Sequence, residues 1–259
     1  MTTTDLPSGL GAVRQIAGMS LRRTRRGGMI WITVVVLGLL LLGTVAALIS
    51  GKAGIDLFKG LLTVMLSYLT PLIMALHGSS AVSEEAQAKT VSYLFSRPIP
   101  RWSLPMGKYV GTVGIGLVLL VPALVLLYVI SMLGDIELFG SELLYLGMGV
   151  VAMVLAVLLY GAVATAFGTF VTSYSFVVAL VYLLVVEVSF AFIPGWLKVV
   201  AMSVHLRVVA GLYEPKTTMF MQDPNLTAAV SIPVVLAEIL FWLFIAASWV
   251  QGAEYRTDK

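Results

Sequence analysis

The sequence predicts an all-α integral membrane protein with six transmembrane helices, and three observations carry that prediction. Hydrophobic residues make up 59% of the 259 residues and charged residues 11%. That is less than half of the roughly 25% charge found in soluble domains, so lipid must serve as solvent for most of the surface. Apolar runs long enough to span a bilayer, about 20 residues each, recur six times. Lys and Arg gather at alternate ends of those runs, as expected of a chain that threads the membrane repeatedly. There is no cysteine, which excludes disulfides, thiolate chemistry and Cys-based metal sites.

The elements follow in chain order as one transmembrane domain, residues 1–259. Between Leu10 and Arg26, Val13, Ile16, Ala17 and Leu21 fall on one helical face, while Arg14, Gln15, Arg22 and Arg25 are placed to meet headgroups. This pattern predicts an interfacial helix within residues 1–28, attracted to anionic lipid. The first span is expected over Met29–Ser50 and the second over Leu61–Ala81, interrupted by Pro71. The third covers Tyr109–Leu133 with Pro122 inside it, and the fourth covers Leu143–Val171 without a charge. The fifth is Phe176–Ile193, stopped by Pro194-Gly195, and the sixth is Thr227–Val250. Proline within a span is tolerated because neighbouring groups satisfy the freed carbonyls. The connection 194–226 is long for a structureless loop. Leu197, Val200, Ala201, Val204 and Val208 recur in it at helical spacing, so one or two short interfacial or re-entrant helices are expected there.

Charge sets the orientation. Arg14, Arg22, Arg23, Arg25 and Arg26 precede the first span. Lys89, Arg97, Arg101 and Lys108 lie between the second and third, and Arg256 and Lys259 lie in the tail. These are eleven of the 16 Lys and Arg residues. The positive-inside rule places both termini and the loop between spans two and three in the cytoplasm, with the protein multi-pass in the inner membrane. The first apolar run is too long, and too far from the start, for the core of a cleavable signal peptide.

The most informative stretch is that loop, 82–108. It leaves an apolar helix carrying Glu84 and Glu85, continues through Thr90 and Leu94, turns at Pro98 and Pro100, and re-enters after Arg101 and Lys108. A charged helix that turns at two prolines and re-enters is suited to transmit force from a soluble partner. Two Gly-Lys pairs, Gly51-Lys52-Ala53 and Gly107-Lys108-Tyr109, lack the Ser/Thr and upstream Gly of a phosphate-binding loop. ATP hydrolysis is therefore not expected in this chain, nor is another catalytic centre. Glu187 and Glu238 are the ionisable acids at depth in spans five and six. Each costs at least ~2.5 kcal/mol to insert, which points to a protein-facing or water-lined position. They are candidates for a substrate path or for a helix-locking hydrogen bond. His77 is expected to be a hydrogen-bonded helix residue rather than a metal ligand. Met202, His205, Met219 and Met221 offer soft ligands for a metal such as Cu(I), but their spacing matches no metal motif.

Glu85, Thr90, Leu94, Pro98, Arg101, Gly107 and Lys108 resemble the pattern of type 2 ABC transporter permeases, in which this segment is the coupling helix that docks on an ATPase subunit. Lys89 stands where that family usually has Gly, and Gln87 where a second acid is common. The closest likeness is to the branch that includes the permease for copper maturation of nitrous-oxide reductase, and to drug and bacteriocin-immunity exporters. The resemblance implies a permease subunit of an ATP-driven exporter, with Glu84, Glu85, Thr90, Leu94, Pro98 and Arg101 in ATPase coupling. It also implies a homodimer in a two-plus-two assembly, with ATP and magnesium held by the partner ATPase and no cofactor or nucleic acid bound by this chain. The alternative from another class is a secondary carrier or channel without an ATPase; inverted repeats would support it, and none is evident.

Overall fold

The computed structural model describes residues 9–79, 83, 100–171, 173–193, 195–215 and 223–252; the side chains of residues 26, 186–188, 192 and 197 are outside that set. Every regular element among the described residues is helical: α1 (Gly9–Arg26), α2 (Gly28–Ile49), α3 (Ile55–Gly78), α4 (Ser103–Met132), α5 (Leu143–Phe170), α6 (Ser175–Ala191), α7 (Met202–Val209) and α8 (Ala228–Gly252). Helices close their own backbone hydrogen bonds, which is what hydrocarbon demands. Five of them, α2, α3, α4, α5 and α8, are long and apolar enough to cross a membrane; α6 is apolar but shorter. The chain is an all-α integral membrane protein.

α5 is the centre of the bundle. Within its span window 72% of residues are buried, against 17% in α2 and in α8. The cause is its small-residue faces. Ala152, Ala156, Gly161, Ala162, Ala164, Ala166 and Gly168 let backbones approach closely, as helix interfaces in lipid require. A Cβ on Gly168 would sit 2.5 Å from the Ser79 carbonyl oxygen, and one on Gly78 would sit 2.8 Å from the Ala164 methyl. α2 and α8 instead present Trp31, Leu39, Leu42, Leu240, Phe241 and Phe244 outward, a surface for lipid or another apolar partner.

The two bundle ends are tied by few polar bonds. At the arginine-rich end, Thr33 Oγ1 bonds His77 Nε2 at 2.9 Å and joins α2 to α3. At the opposite end, the Gly54 amide donates to the Ser131 carbonyl at 2.8 Å. Phe58 and Tyr128 meet edge to face at 5.1 Å, and the Tyr128 hydroxyl donates to the Phe139 carbonyl at 2.6 Å. The Lys59 ammonium lies 4.0 Å from the centre of the Tyr145 ring.

Two expected boundaries move. The second helix starts at Ile55 rather than Leu61, and the third at Ser103 rather than Tyr109. Asp56, Lys59 and Lys108 lower the local hydropathy without breaking a helix, so apolar runs underestimate helix length. α4, at 30 residues, extends roughly 45 Å at 1.5 Å per residue, longer than a hydrocarbon core of about 30 Å; its first turns project beyond.

Those first turns hold α1. Gly107, Gly111 and Gly114 form a notch along α4: a Cβ on Gly107 would lie 2.6 Å from Ile16 Cβ and 3.0 Å from the Val13 carbonyl oxygen, and one on Gly111 would lie 2.9 Å from Ser20 Cβ. The buried face of α1 is therefore Ala12, Ile16 and Ala17; of the four expected positions Ile16 and Ala17 are buried, Val13 is half-buried and Leu21 is exposed. Gly107→Leu should lift α1 from α4, because one of the atoms it meets is backbone and cannot rotate away. Overpacking of this kind costs roughly 1–3 kcal/mol. The check is trypsin cleavage after Arg22 and Arg23 in detergent, which should accelerate severalfold; an unchanged cleavage rate would count against the notch.

Candidate functional site

The loop between α3 and α4 is held at both ends by different helices. On the entry side the Ser83 hydroxyl donates to the Ser79 carbonyl at 3.0 Å and accepts from Ser175 Oγ at 2.9 Å. Ser83 is thereby fastened to the start of α6, while Ser79 rests on Gly168 of α5. On the exit side the Ser103 amide and hydroxyl both donate to the Pro100 carbonyl, at 3.0 and 2.6 Å. The Trp102 ring lies over Gly9, where a Cβ would be 2.8 Å from the ring edge. The described ends of this segment thus contact α5 and α6 on the entry side, and α1 and α4 on the exit side. Arg101 is exposed in the turn before α4. Glu84, Glu85, Thr90, Leu94 and Pro98 lie outside the described residues.

Within the membrane the helical ladder widens twice, at Met65–Leu69 in α3 and at Leu183–Val188 in α6. Pro71 accounts for the first: it donates no N–H to the preceding turn, and the Thr70 amide bonds Met65, five residues back. No proline explains the second. The two π turns pack against one another, and the tip of the bundle formed by α7 reaches the first of them. Single π turns occur often at functional sites. Glu187 lies in the backbone of the second π turn, with its side chain outside the described residues. Glu238 lies on α8, half-buried, with Oε2 enclosed. It sits one turn from Val235 and Trp242, on the stripe where Trp242 meets Phe167 and Tyr182 at 5.7 Å. The sequence marked Glu187 and Glu238, and missed the π turns that bear on the first.

The connection between α6 and α8 dips into the bundle. A 3-10 turn, Trp196–Val200, precedes α7, and α7 is buried along most of its length. α7 ends in a Schellman cap: the Leu212 amide donates to Arg207 O at 2.9 Å and the Gly211 amide to Val208 O at 3.1 Å. Gly211 takes φ +69 there, where glycine carries no Cβ penalty. Lys198 Nζ bonds Asp223 Oδ2 at 2.5 Å, and the Gly195 amide donates to Asp223 Oδ1 at 3.0 Å. This clasp closes the connection on itself, 25 residues apart in sequence. Gly195, at φ +93, is in a conformation that favours glycine. The Tyr213 hydroxyl donates to Pro224 O at 3.0 Å; burial, then the Asp223 charge, hold its phenol above the ordinary range, against the pull of Arg207.

His205 has both ring nitrogens engaged, Nε2 with Val199 O at 2.8 Å and Nδ1 with Ser231 Oγ at 3.1 Å. A carbonyl only accepts, so Nε2 carries a proton, while Nδ1 shares a hydrogen bond with the Ser231 hydroxyl. That arrangement pins α7 to α8 and engages both ring nitrogens in protein hydrogen bonds. Met219 and Met221 lie outside the described residues. Among the described residues no group of three His, Cys, Asp or Glu side chains is placed to hold a metal ion.

A helical membrane bundle with an anchored polar loop at one end and broken helices at its centre has the form of a transport protein. Residues 21–187 match the family described as ABC-2 family transporter protein. The match spans more than half of the chain, and the chain belongs to that family: it is a membrane component of an ABC transporter, in a family that implies a partner ATPase. Comparison with curated proteins gives no match.

Proposed function

We propose that this chain is the permease subunit of an ATP-driven exporter, forming the substrate path and coupling to a separate ABC ATPase through residues 82–108. Two copies with two ATPases make the working unit, in the inner membrane, with both termini and the coupling loop cytoplasmic. The ATPase subunits hold ATP and magnesium. The observation that carries this reading is the double anchoring of the loop, by Ser83 on Ser175 and by Trp102 on Gly9. A soluble motor pressing on 84–99 would displace two groups of helices relative to one another, and the paired π turns lie where such a displacement would be absorbed. The motif is similar to that of the copper-maturation branch and to drug and bacteriocin-immunity exporters.

The substrate path is assigned to Glu187 and Glu238, and the experiment is ATP turnover of the reconstituted permease–ATPase complex. Gln at either position keeps shape and most hydrogen bonding but removes the capacity for charge. Glu238→Gln should reduce substrate-stimulated turnover severalfold, more than Glu187→Gln, with basal turnover and complex assembly unchanged. Unchanged stimulation in both variants, with only a small shift in melting temperature, would assign both residues to packing.

A further inference from the structure

A groove opens where α1, α2 and α4 meet at the arginine-rich end. Its volume is about 260 Å³, and its walls are apolar: Leu21, Ile30, Ile115, Val118 and Leu119. Gly114 also lines it, and a Cβ there would come only as close as 3.7 Å to Leu21. Arg22 and Arg25, both exposed, stand at its mouth. Arg22 also borders an adjoining open recess of about 440 Å³ shared with Met19, Arg23 and Gly27. Among the described residues no acidic side chain lines either space. Trp31 is exposed on the first turn of α2, the position of an aromatic that sits at headgroup level.

We infer that this groove is a discrete site for one anionic phospholipid, with an acyl chain lying along Ile115, Val118 and Leu119 and the phosphate held between Arg22 and Arg25. The shape is amphipathic in the same sense as the ligand: an apolar slot bordered by two arginines. Guanidinium forks match phosphate oxygens in geometry as well as charge. A bare basic helix would attract anionic lipid by charge alone. The groove adds a place for the chain, and so predicts a bound lipid of fixed stoichiometry. The α1–α4 notch keeps the site built, because Gly107 and Gly111 fix the distance between its walls.

The test is native mass spectrometry of the full chain released from nanodiscs, comparing phosphatidylglycerol with phosphatidylcholine of identical chains. One phosphatidylglycerol per chain should be retained, at an affinity about 25-fold above phosphatidylcholine, from about fivefold per arginine. Arg22→Gln with Arg25→Gln should remove that preference while leaving weak binding of both lipids. Val118→Trp, on an exposed position, should fill the slot and remove retention of both. Inorganic phosphate alone should not displace the lipid. Equal retention of the two lipids by the native chain, or preference surviving in the arginine variant, would overturn the proposal. Displacement by millimolar inorganic phosphate would overturn it too, by showing an anion site without a chain slot. Melting in phosphatidylcholine, unchanged in all variants, confirms folding; a variant that melts early is replaced by Gly114→Leu or by the single arginine changes, read the same way.

Discussion

Replacing Glu85 with Lys is expected to abolish stable association with the ATPase partner while leaving the bundle folded. In the proposed interface a charge reversal at Glu85 introduces like-charge repulsion that costs several kcal/mol, and at 1.4 kcal/mol per factor of ten that is on the order of a hundredfold or more in affinity. Glu85 lies in sequence between α3 and α4, outside the described helices that make the core, so the melting temperature should be unaltered. Affinity co-purification from co-expressing cells reads the result. Retention of the ATPase at native stoichiometry would remove Glu85 from the interface. Gln87→Ala, nearby in the same segment, serves as the control and should reduce recovery only slightly.

The second large effect is structural. Lys198→Ala should destabilise the α6–α8 connection by about 3–5 kcal/mol, the usual cost of removing one partner of a buried ion pair. The Asp223 side chain is fully buried, whereas 13% of the Lys198 side chain is exposed. Asp223 would therefore keep the Gly195 amide but lose the Lys198 ammonium at a side chain that is fully buried. Asp223→Asn should cost less, because Lys198 can turn its ammonium toward solvent. Thermal unfolding in detergent orders the two variants; equal losses, or the reverse order, would contradict this account of the clasp.

Five of the six expected spans were legible because apolar runs of about 20 residues have few meanings; the expected fifth, Phe176–Ile193, coincides with the shorter apolar helix α6. Helix starts were less legible. Asp56 and Lys108 interrupt hydropathy but not the backbone ladder, so α3 and α4 begin six residues before their apolar runs. Ile16 and Ala17 of α1 were read correctly as facing inward, but Ala12 was missed and Leu21 is exposed, since the partner, the glycine notch of α4, lies some ninety residues away. Pro71 announced a break in α3, but nothing in the composition of Leu183–Val188 announced one in α6. The Lys198–Asp223 clasp joins positions 25 apart in an irregular segment, where no periodicity exists to be read. Glu187 and Glu238 stood out because charge inside a span is costly; the packing of Trp242 beside Glu238 was not visible from one helix alone.

The measurement that tests the central claim most directly is photo-crosslinking from a benzophenone amino acid at Gln87, in membranes of cells that make the full transporter. The account predicts a single major adduct with an ABC ATPase, strengthened or weakened by trapping the ATPase with non-hydrolysable nucleotide. The same probe at Glu214, beyond α7 at the opposite end, should give no such adduct. An ATPase adduct from position 214 but not from 87, or no nucleotide-dependent change at 87, would contradict coupling through residues 82–108.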